Sequence, residues 1–555
     1  MRLLLLVAAM TWACSGPDQA GNGRPERVDS TDRSGQASEL RPAERDPRPN
    51  LLFVFSDDHA TAAIGAYGGR YAELDPTPNL DRLAEEGMLF RNSFCTNSIC
   101  GPSRAVILTG KHSHVNGFRA NGDRFDGSQV TFPKLLRAAG YRTALIGKWH
   151  LGTEPEGFDH WEVLPGQGDY YNPRLESPSG TRTIEGYCTD IVTDLAIEWL
   201  ESVRDAPEPF LLMAHHKAPH RNWMPALRHL DLYAETEVPE PETLFDDWSD
   251  NASPARHQEM EIGRHMNTVY DLFVDPIEGY DPNSEIASDR SGWNNRERMT
   301  PAQRERWDAA FAEENEAFWM AELSGAERVR WKTQRYLKNY LRTVRGVDES
   351  VGRLRAYLEQ AGLQESTVVI YASDQGFYLG DHGWFDKRWM YEESLEMPLI
   401  VSWPGVTRPG STDAHLVQNL DYAPTLLELA GVEVPSDLQG SSLVPLLRGE
   451  EPADWRDAIY YHYYGYPAVH MVARHRGVRT ERYKLMHFYE FDEWELYDLE
   501  VDPDERVNVA DAPAYAALRA KLEVRLDELR DHYGDDAPTR AFDEEERARF
   551  RPAGD

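Results

Sequence analysis

Four segments of this 555-residue chain carry a continuous apolar run that stops at a knot of polar side chains: LLFVFSDD from Leu51, YRTALIGKWH from Tyr141, PFLLMAHHKAPH from Pro209 and STVVIYASDQG from Ser366. A strand with one wet face alternates apolar and polar residues. An unbroken run of strand length predicts burial on both faces, as in a parallel sheet. Helical periodicity fills the intervals, in NLDRLAEEG from Asn79, FPKLLRAAG from Phe132, DIVTDLAIEWLESV from Asp190 and RYLKNYLRTVRGVDESVGRLRAYLEQAG from Arg335. Strands alternating with helices predict an α/β fold, a mainly parallel central sheet flanked by helices. Ligands in such sheets bind beyond the carboxyl ends of the strands, so the four polar knots should converge on one site.

Apolar residues at 41% and aromatics at 11% suffice for a large core, which excludes wholesale disorder. Lys+Arg number 59 against 94 Asp+Glu, a formal net charge of −35. So acidic a surface repels a phosphate backbone and excludes nucleic acid as a general partner. An anionic substrate can still bind where positive charge is concentrated locally. Four cysteines are too few for a disulfide scaffold.

Residues 1–14, MRLLLLVAAMTWAC, combine a basic residue, a short apolar run and small residues before Cys14, the pattern of a secretory signal. The segment resembles bacterial lipoprotein signals, which implies a lipid anchor on Cys14, although Thr11 stands where such signals usually carry Leu. Cleavage with release is the alternative, and both place the protein outside the cytoplasm, in the periplasm or at the cell surface. No other apolar run reaches the ~18 residues of a transmembrane span. Residues 15–48 read as a flexible linker. A catalytic domain is expected over 49–435, with a Trp-bearing, strand-poor insertion at 223–330. Short strands and turns over 436–535 predict a smaller C-terminal α+β subdomain, and 536–555 an acidic tail.

Cys100-Gly101-Pro102-Ser103-Arg104, followed by AVILTG, is the most informative segment. Alone, a cysteine before Gly-Pro is a buried turn residue. The whole run resembles the signature of the formylglycine-dependent sulfatases of the alkaline phosphatase superfamily, and the other motifs follow in that family's order from about Arg48 to Ala510. The resemblance implies that a formylglycine-generating enzyme oxidises Cys100 to formylglycine (3-oxoalanine). The hydrated aldehyde attacks sulfur with one hydroxyl, and the other later expels sulfate, an exit that a plain Ser or Cys ester lacks. It further implies Ca²⁺ bound by Asp57, Asp58, Asp374, Gln375 and the modified Cys100. Adjacent carboxylates at a strand end need solvent or a cation, and an oxygen donor set suits a hard ion. Gln375 departs from the more common Asn or His.

In the same register, Arg104 would orient the diol, and Lys148 and Lys387 would hold sulfate and ester oxygens. His150 would contact the diol and assist its second step. His220 would protonate the leaving alcohol. His215 and His216 read as supporting or packing residues, and Lys217 is left open. Arg388 is either a substrate contact or the partner of Glu392 or Glu393. In YYHYYGYPAVHMVARH (460–475), Tyr464, Tyr466, His470 and His475 suit the faces and hydroxyls of a sugar, with packing of the C-terminal subdomain the alternative. GAYGG at 65–69 reads as a turn. Cys95 and Cys188 are inert or paired with each other, since a bond from Cys95 to Cys100 would remove the nucleophile. The expected activity is hydrolysis of a sulfate ester on a sulfated glycan, exo-acting, with 6-O-sulfated N-acetylglucosamine the first compound to test. The PAPHRNWMP-like and YYHYYGYP-like segments resemble those of bacterial glycan sulfatases, including enzymes acting on sulfated amino sugars. The rivals are a phosphoester or phosphonate monoester hydrolase and an inactive carbohydrate-binding lipoprotein.

Overall fold

The computed structural model describes residues 45–277 and 286–536. The signal segment with Cys14, most of the linker and the tail beyond Asp536 lie outside the described residues. The apolar runs become strands, and ten strands make one sheet: β1 (Asn50–Ser56), β2 (Met88–Phe90), β3 (Arg142–Lys148), β4 (His160–Leu164), β5 (Arg174–Ser177), β6 (Gly180–Thr183), β7 (Phe210–His215), β8 (Thr367–Ser373), β9 (Leu399–Ser402) and β10 (Ser411–Asp413). Their order is β10-β2-β9-β8-β1-β7-β3-β4-β5-β6. The block β8-β1-β7-β3-β4 is parallel, and antiparallel pairings join β9 to β8 and run out through β5 and β6.

Burial on both faces explains the continuous apolarity. Leu51, Phe53 and Phe55 of β1 belong to one core layer and Leu52 and Val54 to the opposite one. On one face, helix α1 (Cys100–Thr109) is buried along its whole length. The other face carries α2 (Cys188–Val203) and the long α3 (Gly325–Gln360). Along α3, Tyr336, Tyr340, Val344, Val347, Val351 and Leu354 are fully buried, the three- and four-residue spacing of one apolar stripe. Among the described residues no helix is long and apolar enough to cross a membrane.

The C-terminal unit is an antiparallel sheet of β11 (Ala458–Tyr463), β12 (His475–Thr480), β13 (Tyr483–Phe488) and β14 (Glu493–Asp498), in that order, covered by α4 (Ala516–Tyr533). In β11 the alternation is double. Ala458 and Tyr460 face α4, while Ile459, Tyr461 and Tyr463 join the core of the large sheet. The described part of 223–330 consists of helices and loops, clamped over the loop after β8. There the buried His382 imidazole pairs with Asp246 at 3.0 Å, its main-chain N–H donates to Thr243 Oγ1 (3.0 Å), and Trp248 Nε1 donates to its carbonyl (2.9 Å).

Burial alone would lower the His382 pKa, but the hydrogen bond to Asp246 and the charge of Glu393 raise it to about 9. A histidine whose pKa is raised on folding stabilises fully below its unfolded value near 6.5, and that contribution disappears as pH rises through about 9. Melting temperature should therefore fall between pH 7 and 10, reflecting a loss on the order of 2–3 kcal/mol. His382→Gln should start lower and lose this part of the slope, and identical pH profiles would exclude the clamp.

Candidate active site

Strand register builds the site. Ser56 of β1 lies opposite Ser373 of β8, and Phe55 opposite His215 of β7, so Asp57-Asp58, Asp374-Gln375 and the His215–His220 segment leave the sheet side by side. Gly147 of β3 pairs with His215 and has φ 107°. A Cβ there would lie 1.9 Å from the His215 carbonyl oxygen, so only glycine lets β3 approach closely enough to deliver Lys148. Asp58 (φ 65°) and His150 (φ 58°) take left-handed backbone angles. These turn each chain sharply at the strand end, a conformation that only surrounding contacts maintain. For Asp58 those contacts come from α3, where Tyr340 Oη donates to the Asp58 carbonyl at 2.6 Å.

The N-terminal end of α1 enters from the opposite layer. Cys100 Sγ lies 3.4 Å from Asp57 Oδ1, and one turn later Arg104 spans the acids. Its Nη2 donates to Asp57 Oδ2 at 3.0 Å and to Asp374 Oδ2 at 3.1 Å, and its Nη1 to the Lys148 carbonyl at 3.0 Å. Lys148 Nζ pairs with Asp57 and donates to Gln167 Oε1 at 2.5 Å. Lys387 Nζ reaches both Asp58 oxygens, at 2.5 and 2.6 Å. His220 Nε2 is 3.8 Å from Asp58 Oδ2, while its Nδ1 bonds the Arg221 carbonyl at 2.5 Å. That bond fixes the tautomer and leaves Nε2 to serve the site. His215 Nδ1 lies 3.2 Å from the Lys148 carbonyl and 3.4 Å from Arg104 Nη1, a supporting place, and His216 is bonded to Ser350 Oγ (2.9 Å) in the core.

Asp57, Asp58 and Asp374 bring carboxylate oxygens within 4.8 Å of one another. Burial pushes the Asp58 carboxyl well above its ordinary range, and Asp57 and Asp374 add repulsion. Asp374 is raised by burial and then by Asp57. For Asp57 burial works upward too, but Lys148 and Arg104 overcome it and hold the group well below the usual range. Gln375 Nε2 donates to Asp58 Oδ1 (2.5 Å) and Asp374 Oδ1 (2.8 Å), leaving Oε1 buried with no partner. An amide half-turn exchanges donor for acceptor. With a cation among the acids, Oε1 would become a ligand, so three carboxylates and one amide oxygen fit a hard ion of the Ca²⁺ type.

His150 and His220 are held toward the neutral form in the free protein. Burial, then Lys148, lowers the His150 pKa to about 2, and burial with Lys148 and Lys387 holds His220 well below its usual value. Burial raises the Cys100 thiol, and the Asp57 charge adds to the rise. Unmodified, Cys100 therefore stays protonated and a poor nucleophile.

The carboxylate beside Arg388 is Asp386, at 3.3 Å. Glu392 is instead engaged by Arg479 (3.0 Å) and Lys484 (2.7 Å). The same Asp386 meets His470 Nε2 at 3.3 Å, His470 meets Arg221 Nη1 at 3.2 Å, and Arg221 is held by Asp271 at 2.6 and 2.8 Å. This chain of charges flanks Lys387 and His220. Sequence reading passed over Asp386, Arg221 and Asp271, and the only signal was that the first two adjoin Lys387 and His220. Of the four C-terminal aromatic candidates only His470 joins this group. Tyr464 donates to Asp535 at 3.2 Å and lies against His462, Tyr466 is buried, and His475 is fully buried against Trp389 and Tyr461. Cys95 and Cys188 are free and buried, not paired. Residues 65–67 form a 3-10 turn, as GAYGG suggested.

Comparison with known proteins gives this geometry a family. The model for Sulfatase matches residues 49–432, and that for N-sulphoglucosamine sulphohydrolase, C-terminal, matches 380–532. The chain belongs to the sulfatase family. It is 48% identical over 516 residues to N-acetylglucosamine-6-O-sulfatase of Bacteroides thetaiotaomicron, covering 92% of this chain and 90% of that one. Human N-acetylglucosamine-6-sulfatase is 28% identical over 446 residues, 75% of this chain and 68% of its own. Among solved structures, BT4656 in complex with its substrate D-glucosamine-2-N,6-O-disulfate superposes with a TM-score of 0.85 at 48% identity, covering 89% of this chain and 99% of that one. The protein is thus a sulfuric ester hydrolase of alkaline-phosphatase-like fold.

Without a cation, the repulsion within the acid cluster is offset only by Arg104, Lys148 and Lys387. Chelator should lower both melting temperature and turnover of this sulfatase. Added Ca²⁺ should restore both, by about 2.7 kcal/mol at a hundredfold excess over its Kd. Asp58→Asn should abolish the calcium response, and a melting curve indifferent to chelator and calcium would refute the metal site.

Proposed function

We propose that this sulfatase hydrolyses the sulfate ester of a terminal sulfated amino sugar in a glycosaminoglycan-type chain, with 6-O-sulfated N-acetylglucosamine its first candidate. The observation that carries the reading is near-full-length similarity, at 48% identity, to proteins named for or solved with 6-O-sulfated glucosamine derivatives, over a site that gathers Arg104, Lys148 and Lys387 beside Cys100. Formylglycine formed from Cys100 by a maturation enzyme supplies, when hydrated, the nucleophilic hydroxyl. The raised thiol pKa supports this, because the unmodified side chain offers no thiolate.

The positions of the other residues support a role for each. Asp57, Asp58, Asp374 and Gln375 would hold Ca²⁺, which would offset charge on the sulfate and the diol. Arg104, pinned between Asp57 and Asp374, orients residue 100. Lys148 and Lys387 leave their carboxylates for sulfate and ester oxygens as the anion enters, stabilising charge that develops in the transition state. His150 faces the diol. His220, neutral when the site is empty, gains proton affinity from the substrate anion and donates through Nε2 to the leaving alcohol. Asp386, Arg388 and His470 present an acceptor and donors to sugar hydroxyls, which suits recognition of a chain end. Export, with Cys14 lipidated and the enzyme periplasmic or at the cell surface, places it where such polymers are met.

Peptide mass spectrometry should find the thiol-to-aldehyde change at Cys100. Cys100→Ala should lower turnover by at least ~10³-fold with an unchanged melting temperature. On defined saccharides, release of sulfate from terminal 6-O-sulfated N-acetylglucosamine should exceed hydrolysis of the matching phosphate ester. His470→Ala should impair the saccharide about tenfold more than a small aryl sulfate, since one sugar hydrogen bond is lost. Preference for the phosphate ester would install the rival hydrolase, and equal losses on both sulfates would remove His470 from sugar recognition.

A further inference from the structure

Lys217 is a buried ammonium for which the chemistry above has no use. It lies three residues before His220 and is 5% exposed. Its described contacts are the main-chain oxygen of Gln167, at 3.2 Å, and the face of Tyr170, 4.8 Å from the ring centroid. Among the described residues no carboxylate lies within ion-pair distance of it. A buried cation with so few acceptors is costly unless something else supplies negative charge. The cost shows in its pKa, which burial and then repulsion from Lys148 lower to about 8.

Gln167 explains why the charge is tolerated there. Its side-chain oxygen accepts from Lys148 Nζ at 2.5 Å while its main-chain oxygen accepts from Lys217. Gly166 (φ 56°) and Gly168 (φ 68°) flank it in left-handed conformation, so the loop doubles back and turns both oxygens of one residue toward two lysines. Three residues after Gln167, Tyr170 Oη donates to the His220 carbonyl at 2.6 Å, tying the same loop to the acid of the reaction. Two ammonium groups are thus bracketed in dry surroundings, and because only Lys148 has a carboxylate, Asp57, beside it, an anion that reached both would relieve the repulsion on Lys217.

We propose that Lys148 and Lys217 form a paired cationic seat for the sulfate group of the substrate, with Lys217 a second contact to the anion and Gln167 the residue that positions both. The proposal rests on the reading of Lys148 as a sulfate contact. In the free enzyme Gln167 accepts the ammonium protons that sulfate oxygens accept when substrate is bound.

The test uses mature enzyme with a small aryl sulfate as substrate and inorganic sulfate as inhibitor, because neither engages the sugar contacts. Lys217→Met should raise both KM and the sulfate inhibition constant by about ten- to a hundredfold, the worth of one charge-assisted hydrogen bond. Its melting temperature should hold or rise, because an unpaired buried charge is gone. Lys217→Arg should recover most of the affinity. Gln167→Ala should weaken both constants, and inorganic sulfate should raise its melting temperature less than that of the parent enzyme, a reading that does not need Lys217→Met to fold. Unchanged KM and sulfate inhibition in Lys217→Met would overturn the proposal, as would a fall in kcat alone alongside a lower melting temperature. Lys148→Met separates the two levels. Sulfate inhibition left unchanged in that variant removes the underlying reading, whereas weakened inhibition there with none at Lys217 removes only the pairing.

Discussion

Three carboxylates and three cations share a volume closed to water at the carboxyl edge of the sheet. Asp57, Asp58 and Asp374 are fully buried, and so nearly are Arg104, Lys148 and Lys387. Each charge alone would cost several kcal/mol to bury. Each is tolerated because its partners are in place, Arg104 on Asp57 and Asp374, Lys148 on Asp57 and Lys387 on Asp58. The balance is exact in sign yet not satisfied in detail, because Asp58 remains pushed toward protonation and Gln375 Oε1 has no partner. A cation among the acids and an anion among the lysines would resolve both defects at once. Such a site fits a hard cation beside a cluster of positive charge.

Holding that cluster dictates much of the surrounding fold. The parallel register sets Asp57 beside Asp374, a missing side chain at Gly147 admits β3, and the buried helix α1 presents Cys100 and Arg104 from the far layer. Residues from positions 57 to 387 meet in one cluster only because the chain crosses repeatedly back to the same sheet edge. The net charge of −35 is no obstacle to an anionic substrate. Low dielectric surroundings strengthen local fields over the distant surface charge.

The additions to the sheet supply the walls. The region 223–330 reaches the site through Asp271, which grips Arg221, and through Asp246, which grips His382. The C-terminal unit reaches it through His470, against Asp386 and Arg221. Both additions are tied to the loops that carry His220 and Lys387. Substrate choice can therefore be tuned in these walls while the charge cluster below remains intact.

The sequence by itself determined the strands, since only burial on two faces accounts for unbroken apolar runs, and it determined that their polar endings would meet. The gathering of Asp57, Asp58, Arg104, Lys148, His220 and Lys387 around Cys100 was legible because the motifs that carry them follow the order of the family they resemble, and Asp57, Asp58 and Lys148 stand at strand ends while Cys100 and Arg104 open a helix. Tertiary structure alone decided the rest. The tyrosine-rich stretch near 460 resembled a sugar surface, but Tyr464 is taken up by Asp535 and His462 and His475 by Trp389 and Tyr461, while His470 meets Asp386 and Arg221. Arg388 took Asp386 rather than the glutamates that follow it, because Arg479 and Lys484 from the C-terminal sheet claim Glu392. Asp386, Arg221 and Gln167 acquire meaning only from partners far away in the chain. Local sequence records what a residue can do, whereas which charge it meets depends on packing between segments hundreds of residues apart.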